Sequence, residues 1–182
     1  MVRDGGYPKL ERQPLTLVLA EFRFGRVAFE PAALVALKER MARRFTDVTE
    51  GVAQQVQLGD AGVTIMPAPY VIWRAPEAGA AVHLEVDRIA YATTMYPRFE
   101  GFAKDCLAVV EALVETLRPP SLHRVGLRYN DAVVPMPDEL LEHYVAAPLL
   151  PFSPLAADGE TVMRHLSETV VQTTAGALVV RA

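Results

Sequence analysis

The stretch that decides the fold is Pro97-Arg98-Phe99-Glu100-Gly101-Phe102-Ala103-Lys104-Asp105-Cys106-Leu107-Ala108-Val109-Val110-Glu111-Ala112-Leu113-Val114-Glu115-Thr116-Leu117-Arg118. Phe99, Phe102, Ala103, Cys106, Val109, Val110, Leu113 and Leu117 recur at three- and four-residue steps, while Glu100, Lys104, Glu111 and Glu115 fall off that stripe. The spacing predicts one long amphipathic helix with a wide apolar face. Pro119 and Pro120 stop it, because proline lacks the amide and clashes with the preceding turn. A rod about 30 Å long with so wide a stripe needs a broad apolar layer to lie on, and a sheet supplies one.

The residues before the helix provide that sheet. Segments 70–74, 81–86 and 89–95 are short and β-rich, separated by Pro76 with Gly79 and by Asp87 with Arg88, which predicts an antiparallel meander. Val52, Val56 and Leu58 alternate with Ala53, Gln55 and Gln57, the period of a strand with one wet face. Residues 15–24 begin apolar on both faces, as a well-covered strand does. Between these strands Pro31 opens a second amphipathic helix through Leu34, Leu37, Met41 and Phe45. Residues 122–134 return as a strand after the long helix. The expected order is β-α-β-β-β-β-α-β, an α+β fold with an antiparallel curved sheet and the long helix packed across it.

The two ends of this unit look alike. Glu21-Phe22-Arg23-Phe24 precedes the helix opened by Pro31, and Gly126-Leu127-Arg128-Tyr129 precedes a helix-like Pro137-Asp138-Glu139-Leu140-Leu141. Residues 168–174 then alternate like the strand at Val52, and 177–181 read as the strand after it. A tandem duplication is expected: a polar segment 1–14, a first β-α-β-β-β-β-α unit at 15–121, and a partial second unit at 122–182 continuing the same sheet. That second copy stops before its last strands and long helix, so it is either shortened or a fragment of something longer. The stretch 145–158 is Pro-rich yet apolar enough to lie against the protein.

Composition sets the class. The 182 residues are 51% apolar and 22% charged, which suits one domain with a real core, or two very small ones, and excludes disorder. Cys106 is the single cysteine, so no intrachain disulfide scaffold exists, and a reduced cytoplasmic setting is expected. No apolar run approaches the roughly 18 residues that span a bilayer. A net charge of -4 speaks against sequence-independent nucleic-acid binding.

Candidate chemistry is sparse. His83-Leu84-Glu85-Val86-Asp87 places an imidazole and two carboxylates on one strand face, a weak metal site through His83 and Glu85, with a wet strand face as the plainer reading. Cys106 sits on a core stripe, where a thiol is desolvated and inert, and no nucleophile elbow, P-loop or dinucleotide fingerprint occurs. Arg40, Arg43 and Arg44 suit the carbonyl end of the first helix. Arg124 and Arg128 share a strand face about 13 Å apart, with Gly126 between them leaving room for a ligand or a neighbouring backbone. They point either to an anionic ligand, with Tyr129 beside them, or to ion pairs with Glu21 or Glu85.

The segment Arg124-Val125-Gly126-Leu127-Arg128-Tyr129-Asn130, with Tyr96-Pro97-Arg98-Phe99-Glu100-Gly101-Phe102 and residues 19–24, resembles a sporadically distributed family of uncharacterised bacterial proteins. The resemblance covers roughly residues 14–135, and Asn130 departs from the family's Arg-x-Gly-Leu-Arg-Tyr-x-Asn pattern by following Tyr129 directly. It implies a bacterial, soluble protein, longer members, and no assigned activity or catalytic residue.

The leading reading is a non-catalytic binding or protein-interaction module that meets a protein partner, or a second copy of itself, through an unpaired sheet edge such as 177–181. The alternative is a binder or enzyme for a small anionic ligand, using a cavity between sheet and helix with Arg124, Arg128, Tyr129, His83 and Glu85 at its mouth. Nucleic-acid binding through Arg40, Arg43 and Arg44 is the weakest reading. No cofactor is called for, and no membrane partner.

Overall fold

A computed structural model describes residues 13–59, 62–140, 143–146, 168–174 and 176–181. The chain divides into two compact units, Met1–Ala132 and Val133–Ala182. The first unit runs β1 (Leu15–Phe24), α1 (Pro31–Met41), β2 (Asp47–Gly59), β3 (Gly62–Ala75), β4 (Ala80–Glu85), β5 (Arg88–Thr93), α2 (Phe99–Leu117) and β6 (Leu122–Asp131). Its six strands form one open sheet, ordered β2-β3-β4-β5-β1-β6, in which every pairing is antiparallel. The α+β class and the element order agree with the periodicities of the sequence.

Alternation explains which side of the sheet is dry. Ladder partners share a face, so Trp73, Val82, Tyr91 and Ala20 form one cross-strand row, and Val71, Leu84, Ile89 and Phe22 the next. Phe22 is half-buried and the other seven are buried. Onto these rows α2 sets Phe102, Cys106, Val109, Leu113 and Leu117, and α1 adds Leu37 and Met41, all in one core. The opposite face carries Ala81, His83, Glu85, Ala90 and Ala92. Arg40 and Arg44 reach from α1 and the turn after it to Glu115 and Asp105 on α2, and Lys38 reaches Glu50 on β2.

Several expectations need correction. Strand β3 starts at Gly62, well before Tyr70, and runs through Pro67 and Pro69. Those prolines lie two residues apart, so both nitrogens point the same way, and β4 joins β3 only from Tyr70 onward. No ladder hydrogen bond is lost there. Helix α1 ends at Met41, and Phe45 is buried from the turn that follows. Asp87 lies in the β4–β5 turn rather than on the strand face of His83 and Glu85, so the second carboxylate expected on that face is not there. Residues 137–138 form a turn, 139–140 are not helical, and Leu141 lies outside the described residues.

Strand β6 continues the sheet beside β1, at its edge, and falls in the first compact unit. In the second unit, β7 (Glu168–Thr173) and β8 (Gly176–Arg181) pair with each other in a two-stranded sheet of their own. The segment 147–158 lies outside the described residues.

Leu113 and Leu107 both lie on α2, 1% and 56% exposed respectively. Leu113→Ala should cost roughly 2–5 kcal/mol through the cavity it leaves, and Leu107→Ala no more than about 0.5 kcal/mol. Urea unfolding of both variants checks the pair; equal losses would contradict the packing of α2 described here.

Candidate functional site

Three places in the first unit bring chemically distinct side chains together. On the helix-free face, a shallow groove of about 340 Å³ lies over Ala68, Tyr70, Ile72, His83, Glu85 and Arg88. His83 Nε2 is 3.4 Å from Glu85 and packs edge-on against the Tyr70 ring at 5.8 Å between centroids. Burial depresses the His83 pKa, and Arg88 adds to this against the pull of Glu85, which favours the neutral imidazole. Glu85 is taken by Arg88, which also lies 3.5 Å from Glu21. His83 and Glu85 are therefore together, as the sequence predicts. Among the described residues, however, no group of three His, Cys, Asp or Glu side chains is placed to hold a metal ion.

Further along the same face, Arg23 Nε donates to Glu21 at 2.7 Å. Partial burial by itself raises the Glu21 pKa. The hydrogen bond from Arg23 and the charges of Arg23, Arg88 and Arg124 outweigh it and hold the carboxyl below its ordinary range. Arg124 stands opposite Arg23, Gly126 opposite Glu21, and Arg128 opposite Leu19. Among the described residues neither Arg124 nor Arg128 makes an ion pair within salt-bridge distance.

Tyr129 is on the other side of the sheet. It pairs with buried Val18, and its ring meets Tyr96 edge-on at 5.9 Å. The expected trio of Arg124, Arg128 and Tyr129 is therefore split by strand alternation. Neither arginine borders a cavity between sheet and helix.

Such a cavity does exist, with other residues. About 310 Å³ opens beside Phe45, Tyr91, Thr93, Met95, Arg44 and Asp105. Arg44 pairs with Asp105, and the Tyr91 hydroxyl donates to the other Asp105 oxygen at 3.3 Å. Burial, then the Asp105 charge and hydrogen bond, push the Tyr91 phenol up to about 12. Burial does the same to Cys106, to about 12, which keeps the thiol protonated and unreactive. The signal in the sequence was Asp105 itself, a carboxylate on the margin of the apolar stripe of α2.

The third place is β6. Its helix-side row, Val125, Leu127 and Tyr129, continues the rows of β1 through Phe22, Ala20 and Val18. Val18 and Ala20 are buried, yet Val125, Leu127 and Tyr129 are 52%, 50% and 44% exposed. Helix α1 lies toward β2, as its Lys38–Glu50 pair shows, so the flank of α2 turned away from α1 faces β6. On the helical wheel that flank holds Leu107 and Val114, both exposed. The result is an apolar trough, floored by β6 and walled by α2. No strand among the described residues pairs with the outer edge of β6. The alternation Arg-Val-Gly-Leu-Arg-Tyr marks this row in the sequence, whereas its exposure comes from the structure.

Comparison with protein-family models, with curated proteins and with solved structures finds no match to this chain.

Removing the Asp105 charge should free the Tyr91 proton. Asp105→Asn is expected to bring the Tyr91 titration down from about 12 toward the ordinary value of 10. Ultraviolet pH titration against a Tyr91→Phe reference reads it, and an unchanged titration would place the cause in burial alone.

Proposed function

We propose that this chain is a non-catalytic binding module that takes an extended segment of a partner protein along the open edge of β6. The supporting observation is the half-exposed row Val125, Leu127 and Tyr129, a core-type strand face over which the described residues set no layer. Every second backbone N–H and C=O of a strand points to each side, so an edge strand offers a ready ladder to an added one. Natural edges are usually blunted by charged side chains, lysine above all, by proline or by bulges, and the two arginines of β6 lie on the face away from the helices. The ten residues of β6 contain no lysine and no proline, and the register with β1 is regular from Arg124 to Asn130. An added strand would bury alternate side chains in the trough, with specificity from those side chains and affinity from the main chain.

The competing anionic-ligand reading has less support. Arg124 and Arg128 lie on the sheet face away from both helices, and Arg44, the cation in the sheet–helix cavity, is already paired with Asp105.

Selection from a random-peptide display library tests the reading. Selected peptides should alternate apolar with polar residues, protect β6 amides from hydrogen exchange, and lose about tenfold or more in affinity on Leu127→Lys. Peptides indifferent to Leu127→Lys but lost on Asp105→Ala would move the function to the sheet–helix cavity instead.

A further inference from the structure

We infer that the strand taken by β6 carries a carboxylate opposite Gly126 with apolar residues on either side, so that the preferred partner is an acidic, apolar-alternating segment. This rests on the β6 docking reading above and adds the charge of the occupant. It follows from a comparison of β6 with β1. The similar segments Glu21-Phe22-Arg23-Phe24 and Gly126-Leu127-Arg128-Tyr129 are ladder neighbours, with Glu21 facing Gly126, Phe22 facing Val125 and Ala20 facing Leu127. A local two-fold axis through the Glu21–Gly126 pair therefore relates the two strands.

On β1 the guanidinium of Arg23 is held by Glu21, two residues before it. On β6 the corresponding arginine is Arg128, and the residue two before it is Gly126. The carboxylate that would satisfy Arg128 is missing from the strand, and a Cβ placed at Gly126 would meet nothing within 4 Å. The gap is therefore open, flanked by Arg124 and Arg128.

The charge around it is unbalanced. Glu21 and Glu85 face Arg23, Arg88, Arg124 and Arg128, and Glu21 is already engaged by Arg23 and Arg88. A side chain directly across a ladder reaches both diagonal neighbours on the facing strand. A glutamate opposite Gly126 thus lies within reach of both arginines, whose planar guanidiniums bind carboxylates in a fixed fork. Its two neighbours on the added strand face the opposite way, toward Val125 and Leu127 in the trough. The pattern read by the edge is apolar, acidic, apolar.

The probe is a soluble labelled peptide alternating Thr and Val around a central Glu, compared with versions carrying Gln or Lys at that position. Fluorescence anisotropy gives the affinity, and hydrogen exchange of β6 gives the location. The Glu peptide should bind about tenfold more tightly than the Gln peptide and the Lys peptide more weakly than either. Gly126→Glu, which copies the arrangement of β1 into open space, should remove the preference for Glu while leaving the Gln peptide within about twofold. Arg128→Met should do the same without adding a charge. Equal binding of the Glu and Lys peptides at β6 would overturn the acidic selection and leave the docking edge standing. Failure of every peptide to protect β6 would overturn both.

Discussion

The structure depends on the burial of one apolar stripe, that of α2, against the helix-side rows of the sheet. Phe102, Cys106, Val109, Leu113 and Leu117 meet Val82, Leu84, Ile89, Tyr91, Val18 and Ala20 in a single core. Apolar surface is worth about 25 cal/mol per Å² buried, and the buried apolar side chains of the first unit gather in this one cluster. The surface ion pairs joining α1 to α2 are each worth about 1 kcal/mol or less. They orient α1 more than they hold it.

The geometry of that layer explains where the proposed binding surface arises. A helix is about 10 Å across and strands lie about 4.8 Å apart, so two helices cover roughly four strands. The sheet has six. Something at each end must go uncovered, and it does: β6 on one side, and on the other the far part of the β2–β3 hairpin, where Val52, Val56, Val63 and Ile65 are exposed on the helix side. The ends are not equivalent. The hairpin arm extends past both helices, whereas β6 runs beside the flank of α2 and so has a wall as well as a floor.

Most of this fold was legible because its two periods are clean. The 3.6-residue stripe of α2 and the alternation in β4 and β5 each pointed to one element. What the sequence hid was governed by neighbours. Pro67 and Pro69 argue against a strand unless it is known that β4 starts at Tyr70 and leaves that edge open. Asp87 continues the alternation of His83 and Glu85 in sequence, and only the two-residue turn removes it. The likeness of residues 21–24 to 126–129 proved to be a likeness between ladder partners. It does not extend to a second helix among the described residues, because 137–138 close a turn. The Arg44, Tyr91 and Asp105 cluster joins three elements, and Asp105 on the margin of the α2 stripe is the one local sign of it.

The arginines behind the proposed acidic partner also bear on self-association. An exposed apolar edge strand invites pairing with its own copy. If two β6 strands met antiparallel about Gly126, Arg124 of each would stand opposite Arg128 of the other, and like charges directly across a ladder are destabilising. A shift of two residues either way sets one arginine of each copy opposite Gly126 of the other, diagonal to both of that copy's arginines, and a shift of four brings two copies of one arginine face to face. A shift of one residue would turn the Val125, Leu127 and Tyr129 row of one copy onto the arginine face of the other. Charge thus opposes the simplest homodimer along β6 while leaving the edge open to a strand that carries carboxylates. On the proposed reading, one pair of side chains and a gap in the Arg-x-Gly-x-Arg spacing both opposes self-pairing and receives a carboxylate.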